Sequence, residues 1–515
     1  MRIAAGARRV LAAGSLCLSA CARLGPDFHA SHEDWVEHWN SPAIEQLSAR
    51  ADGQGDAERA AQWWKVFADP TLERLIADAD AHNASLKIAG LRVMEARAQL
   101  GIAQSGRYPQ LQQVSADALR VDRRQAGGRN PENSQFWQYS AGFDIGWELD
   151  FWGRFSRAIE SADAAYFAAV ANHDDAMVLV RAQVADTYFA MRTAEARLRI
   201  ARDNAKLQRR SYEITERLFK GGETDELDVQ QARTQYLGTA SSIPEIEAQI
   251  VRARNAIATL TGRPPSPVTP YDLDPPGTEG VIPLIDRVVL QDVPANLLLR
   301  RPDIRAAELQ VAAQSARIGV AMADLYPSLS LLGSIGWSAT SFAGTPNSFI
   351  MLGGPSLRWN VFDHGRIRNA VRVEDARLQQ LIVSYEDAVR QAAREADDAA
   401  TGLVKALERE VILRDAQASA ARSFTLASTL YREGFTDFQR VLDAQRALFA
   451  QQDAYLVNRS NAVSNLIALY KALGGGWYSD RPLVDTATRR QMEQRTNWGN
   501  LLDEQTRPAK GDRDE

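Results

Sequence analysis

The feature that most constrains this chain is that it contains itself twice. Gly222, Thr224 and Asp225 return as Gly434, Thr436 and Asp437, 212 residues later, and Gly153 and Gly262 return as Gly365 and Gly474 at the same spacing. Upstream of each, a second register runs 218 residues apart: Ala98, Leu100-Gly101-Ile102-Ala103 and Tyr108-Pro109 match Ala316, Ile318-Gly319-Val320-Ala321 and Tyr326-Pro327. An indel of six residues separates the two registers. Repeats of about 20–50 residues make solenoids; this one is far longer, so it is a duplicated half-domain. Each copy reads as a short helix, a pair of strands and a long helical hairpin.

The helical hairpins set the scale. No proline interrupts Gly153 to Phe219, and about 65 residues at 1.5 Å each make a helix of about 100 Å. No globular core is that long. The apolar positions Met177, Val180, Val184, Thr187, Met191, Ala194, Leu198, Ala201 and Ala205 advance in threes and fours, the spacing of a coiled-coil seam. Alanine dominates that seam, so neighbouring helices approach closely, and the opposite face is rich in Arg, Asp and Gln. Gly222 and Gly434 supply the open backbone of the two turns. Thr436-Asp437-Phe438-Gln439 fits a capping box with Thr436 as the cap and Gln439 reaching back. Thr224 or Asp225 caps the first copy. The short helix of copy one is expected from Asp69-Pro70 to about Gly106, ended by Tyr108-Pro109.

Between the helices the period changes to two. From Phe136 to Asp150 one face carries Trp137, Tyr139, Ala141, Phe143, Ile145, Trp147 and Leu149, and the other Gln138, Ser140, Asp144, Glu148 and Asp150. That is a strand with one apolar face, long enough to cross a bilayer at a tilt, with aromatics towards its ends. Its partner, Gln110 to Val121, alternates poorly, and Arg120 to Gln135 reads as a basic external loop. Copy two repeats the pattern with Leu329, Leu331, Ile335 and Trp337, then Phe349, Met351, Leu357, Trp359 and Val361, around the loop Ala339 to Ser348. Four strands in two hairpins cannot close a barrel, and only closure removes strand edges. The sequence therefore asks for several copies of the chain.

Arg2, Arg8 and Arg9 precede the short apolar run Val10 to Ala20, a signal peptide ending in Leu18-Ser19-Ala20-Cys21. This resembles a bacterial lipobox, with Cys21 as the lipidated first residue of the mature chain and Ala22 in keeping with outer-membrane sorting. Removing the signal leaves one cysteine, so no intrachain disulfide forms. Nothing after it is apolar enough for a spanning helix. The net charge of −5, from 60 basic and 65 acidic residues, gives no basic face for nucleic acid. His29, His32 and His38 near Glu33 and Asp34 fit no zinc spacing, so no metal site is expected. Asp397-Asp398 reads as a solvated helix face, and no motif points to an enzyme.

Leu18 to Cys21, Gly25-Pro26-Asp27-Phe28, Trp63-Trp64, Leu298-Leu299-Arg300-Arg301-Pro302-Asp303-Ile304-Arg305, Leu442-Asp443-Ala444-Gln445-Arg446 and Tyr470-Lys471-Ala472-Leu473-Gly474-Gly475-Gly476-Trp477 together resemble the TolC-type outer-membrane efflux proteins, and most closely the OprM-like (NodT-type) lipoproteins. The resemblance implies a mixed α and β membrane protein: a homotrimeric, twelve-stranded β-barrel in the outer membrane, four strands per chain, continued by a long α-helical barrel with an equatorial domain. It implies a passive exit duct of a tripartite efflux system, with a periplasmic adaptor (membrane fusion) protein, an inner-membrane transporter of the resistance–nodulation–division type, and outer-membrane lipids as partners. Secretion, ABC or metal-efflux ducts share that plan, and a non-conducting lipid-anchored scaffold is the other class open. No cofactor is implied beyond the lipid on Cys21.

On this reading, residues 1–20 are the signal peptide and 21–61 a lipid-anchored tether. The first repeat is 62–262, with its β-hairpin at 109–150 and helical hairpin at 153–262. A linker at 263–295 precedes the second repeat, 296–474, with hairpins at 327–363 and 365–474, and 475–515 forms an equatorial segment and polar tail. Arg217, Leu218, Phe219, Gly222, Thr224, Asp225, Arg432, Gly434, Thr436 and Asp437 resemble the family's tip segments, which meet the adaptor. Asp443 resembles the family's aperture residue, and three copies of it would form an acidic ring that favours cations. Gln439 stands where relatives carry an apolar residue, which leaves Phe438 to supply any hydrophobic constriction. Gln231 is the first-copy match, with Asp228 a turn away as a second acid.

Overall fold

The structure, a computed structural model, describes residues 23–29, 41–48, 62–123, 134–265, 301–341, 348–477 and 482–502, together with positions 273, 280–283, 285 and 299. Cys21 and the signal peptide, most of the expected tether including His32 and His38, most of the linker, both external loop centres and the tail lie outside the described residues.

The elements in order are α1 (Pro42–Ser48), a 3₁₀ turn at Trp63–Phe67, α2 (Pro70–His82), α3 (Ala84–Ser105), β1 (Leu111–Arg123), β2 (Ser134–Glu148), α4 (Arg154–Lys220), α5 (Glu226–Leu260), α6 (Pro302–Ala323), β3 (Ser328–Ala339), β4 (Ser348–Arg358), α7 (Arg366–Arg432), α8 (Phe438–Ala472) and α9 (Thr486–Arg495). The duplication is legible in the element bounds themselves. Helices α4 and α5 map onto α7 and α8 with both ends displaced by 212, and α3 maps onto α6 displaced by 218. The chain divides into two compact units, one of residues 1–31, 93–169 and 306–385, the other of 32–92, 170–305 and 386–515.

In the first unit the two expected hairpins join into one antiparallel sheet of order β1-β2-β3-β4. Rows of side chains cross it, such as Val114–Phe143–Ile335–Met351, and that apolar face is open, with Phe143 39 %, Ile335 40 % and Met351 77 % exposed. A water-soluble sheet of this size would cover such a face. The poorly alternating β1 is a strand because it pairs with β2 along its whole length, from Leu111↔Gly146 to Arg123↔Ser134, so the strands run further into the expected loop than the pattern indicated. Within the described residues β1 and β4 are unpaired on their outer edges. At the strand-to-helix corners, Asp150 accepts from Phe155 N and Ser156 N, and Asp363 accepts from Gly365 N and Ile367 N, which caps α4 and α7.

In the second unit two expectations change. The single helix expected from Asp69 to Gly106 is two helices. Asp69 caps the first by accepting from Thr71 N and Leu72 N, but Asn83 is extended (ψ 129°) and its Oδ1 accepts from Ser85 N and Leu86 N. An asparagine N-cap outweighed an unbroken apolar pattern. The narrow seam on α4 is also wider than its spacing implied. Every expected seam residue except Thr187 is buried, but so are Ala185, Tyr188, Arg192, Glu195 and Ala196. Phe67 lies 4.7 Å from Phe189, Arg192 donates to Leu273 O and Glu195 accepts from Gly280 N, so α4 is covered on a second side. Asp397 is likewise half-buried, accepting from Ser41 Oγ at 2.6 Å. No helix among the described residues is long and apolar enough to cross a membrane.

Candidate functional site at the hairpin tips

Both long hairpins turn in the same way. Gly221 N donates to Arg217 O and Glu223 N to Leu218 O, while Glu433 N donates to Thr429 O and Phe435 N to Leu430 O. These bonds satisfy the last carbonyls of α4 and α7. Gly222 and Gly434 sit at φ +78° and +79°, a region closed to most side chains, and a Cβ on either would meet nothing within 4 Å. The glycines answer a conformational need, with open space around them.

The caps that follow differ. Asp437, and not Thr436, is the N-cap of α8 and accepts from Arg440 N at 3.3 Å. With the cap one residue later, Gln439 falls at the second helical position and cannot close the expected box. It donates instead to Asp443 Oδ1 at 3.1 Å. Asp225 caps α5 through its backbone only, while Thr224 Oγ1 donates to Asp228 Oδ2 at 2.5 Å. Arg217, Phe219, Asp225, Arg432 and Asp437 are exposed, and Leu218, Thr224 and Thr436 are half-buried. The two tips share a backbone but not a surface: exposed Glu223 in the first corresponds to Phe435, 76 % exposed, in the second.

The expected gate residues are brought together only in part. Asp443 is exposed and accepts from both Gln439 and Arg446 Nη1, the latter at 3.4 Å. Arg446 Nε in turn donates to Gln235 Oε1 on α5 at 2.7 Å. The acid is thus paired within its own helix and tied to the neighbouring one, which weakens the repulsion a bare carboxylate ring would carry. Phe438 is 3 % exposed. Its ring packs against Ala232, Val441 and Leu442 and lies 5.3 Å from Tyr431, so it sits in the chain's own core rather than at an open constriction. Tyr431 belongs to the same cluster, and burial followed by the charge of Asp228 pushes its hydroxyl above the ordinary range. Gln231 is half-buried, and its Oε1 has no hydrogen-bond partner among the described residues.

Sequence reading gave Arg446 no role of its own and missed Gln235 and Tyr431. The three-residue step from Asp443 to Arg446 is a signal that was available; the reach of Arg446 to α5 was not. It also missed a buried polar cluster. Arg301 is 6 % exposed and bonds Ala472 O, Asp303 and Glu395 at 3.0, 2.9 and 3.0 Å. It lines a cavity of roughly 220 Å³ with Asp175 and Lys471. Burial first, then the charge of Asp303, pushes the Asp175 carboxyl up to about 6. Among the described residues no His, Cys, Asp and Glu cluster is arranged to hold a metal.

A family model described as "outer membrane efflux protein" matches residues 75–263 and 293–475, one segment in each repeat. The probable outer membrane lipoprotein SilC of Salmonella typhimurium is 30 % identical over 468 residues, covering 89 % of this chain and 96 % of that protein. The pyoverdine export outer membrane protein OpmQ of Pseudomonas putida is 30 % identical over 450 residues, 86 % of this chain and 92 % of its own length. Among solved structures, the outer-membrane channel OprN superposes with a TM-score of 0.80 at 34 % identity, over 88 % of this chain and all of OprN.

Proposed function

We propose, because this chain belongs to the outer membrane efflux protein family, that three copies of it close a twelve-stranded barrel and carry a resistance–nodulation–division pump's substrates out of the cell through a periplasmic adaptor. The chain is an outer-membrane exit duct of tripartite efflux. Its fold, mostly helical with four strands per chain, is that of the trimeric efflux channels. The proposal adds the stoichiometry of this chain, its partners, its lipid and its gate.

One observation carries it. Among the described residues the sheet has two free edges and an open apolar face, and neither suits a single copy. Edge-to-edge closure removes the edges, and a bilayer covers the face. At the hairpin tips, exposed Phe219, Leu227, Leu430 and Phe435 offer apolar anchors to an adaptor. Asp443, held by Arg446 and Gln439, is the gate acid proposed to face the lumen. Cys21 is proposed to carry the N-terminal lipid.

Purified protein tests this in a planar bilayer. The expected result is stepwise conductance from a band that runs as a trimer until heated. A monomer that never conducts would overturn the closure.

A further inference from the structure

Residues 23–29 belong, on the sequence reading, to a lipid-anchored tether. They lie instead in a seat that both repeats build within the first unit. Leu24 N donates to Trp152 O at 3.2 Å. Arg157 Nε donates to Leu24 O at 3.0 Å, and its Nη2 to Gly25 O at 3.3 Å and to Asp27 Oδ1 at 2.7 Å. Its Nη1 donates to Glu160 at 2.9 Å. From the second repeat, Ser315 Oγ donates to Pro26 O at 3.4 Å.

Two details show that the seat is built for this segment. Arg157 is 2 % exposed, and a guanidinium so buried is costly unless its donors are satisfied. The segment's own carbonyls and Asp27 satisfy much of it, and the bond to Arg157 holds the Asp27 carboxyl below its usual range. The backbones also touch. Gly25, at φ +92°, would place a Cβ 2.6 Å from Gly319 Cα, and a Cβ on Gly319 would fall 2.5 Å from Leu24 O. A Cβ on Gly153 would meet Arg23 Cα at 2.9 Å.

The duplication provides an internal control. Gly319 corresponds to Gly101, where a Cβ would meet nothing within 4 Å, and Arg157 corresponds to Asn369. The same surface in the other register carries neither the close contact nor the buried cation.

We propose that residues 23–27 form a staple, locked by Arg157, that fastens the first repeat to the second and fixes the chain's N-terminal segment against the Trp152-Gly153 corner. Arg157 is then a positioning residue for the lipid anchor, since Arg23 lies two residues after Cys21. That last consequence rests on Cys21 being acylated; the staple does not.

The test is tryptic cleavage after Arg23 in the detergent-solubilised full chain, followed by mass spectrometry. A seated segment must open locally before a protease can cut it. Gly25→Val and Arg157→Met should each speed the cut by about tenfold or more, with the heat-modifiable trimer retained. Gly101→Val, at the open counterpart, should leave the rate unchanged. If Arg157→Met does not assemble, Asp27→Ala, on the strap itself, reads the same lock and should give about threefold. Rates within about twofold of wild type in the assembled variants would overturn the staple. Palmitate labelling is scored separately. A protected Arg23 without label defeats the lipid and keeps the staple, and a labelled chain cut freely at Arg23 does the reverse.

Discussion

Asn83 and Arg301 make the same bond in the two repeats. Asn83 Nδ2 donates to Leu260 O at 2.8 Å and Arg301 Nη1 to Ala472 O at 3.0 Å, and both donors and both acceptors correspond across the duplication. One copy ties its short helix to the end of its long hairpin with a neutral amide, the other with a cation. The cation brings Asp303 and Glu395 with it, and Asp175 stands beside that group.

The first prediction concerns pH. The Asp175 carboxyl titrates at about 6 in the folded chain, against 3.8 ordinarily. Its ionised form therefore costs stability above about pH 6, and the cost fades as pH falls towards 4. Asp175→Asn should stabilise the fold at pH 7.5 by about 1–2 kcal/mol once partial exposure is discounted, seen as a higher thermal midpoint, and leave the midpoint unchanged at pH 4. Arg301→Asn retains the tie to Ala472 but removes the charge, so it should move the Asp175 transition to higher pH. An equal gain from Asp175→Asn at both pH values would remove the ionisation account.

The second prediction concerns the gate. Asp443→Ala should enlarge the resting conductance and weaken block by divalent cations. Arg446→Ala unpairs the acid and releases Gln235, so it should strengthen that block. If both variants conduct and block like wild type, Asp443 is an ordinary surface acid.

The third prediction concerns the tips. Gly222→Pro and Gly434→Pro cannot adopt the required positive φ, and should cost drug resistance by about tenfold or more while trimers still reach the outer membrane. Gly222→Ala, with open space around it, should cost only about 1 kcal/mol of local strain. Full resistance in both proline variants would show that the tips dock nothing.

The fourth prediction concerns an unusual core residue. Gln208 is 1 % exposed with neither amide atom bonded among the described residues, and Gln445 Oε1 is unbonded as well. Such a group costs about 1–3 kcal/mol. Gln208→Leu should raise the thermal midpoint of the trimer; a lower midpoint would show that the amide is solvated in place.

The fifth prediction concerns the anchor. Cys21→Ser should abolish incorporation of labelled palmitate while the barrel still inserts. Label retained by the variant would move the modification elsewhere.

What was legible in the sequence follows from what a pattern can carry. The equivalence of Gly222 with Gly434 located both turns to the residue, because a positive φ selects glycine. The alternation around Phe143 and Trp147 located β2, because one of its faces is uniformly apolar. β1 was less clear, since its strand character comes from its partner's register rather than from its own side chains. The break at Asn83 was hidden because one cap residue interrupts an otherwise continuous stripe. The burial of Arg157, Arg192 and Arg301 is not legible, because a sequence shows their charge and not their partners. The gate suffered the same limit: Asp443 was visible, and the Arg446–Gln235 tie that restrains it required two helices to be placed side by side.

The unlike chemistry of Glu223 and Phe435 has a consequence for counting. In the proposed trimer, three chains with two tips each would present six turns of one backbone shape, three carrying Glu223 and three carrying Phe435. A docking partner that reads the aromatic ring finds three places. A partner arranged with true sixfold symmetry meets two kinds of place, so its six copies cannot all bind alike. In that arrangement the copies facing Glu223 and those facing Phe435 would bind with unequal affinities, and Glu223→Phe should narrow the difference.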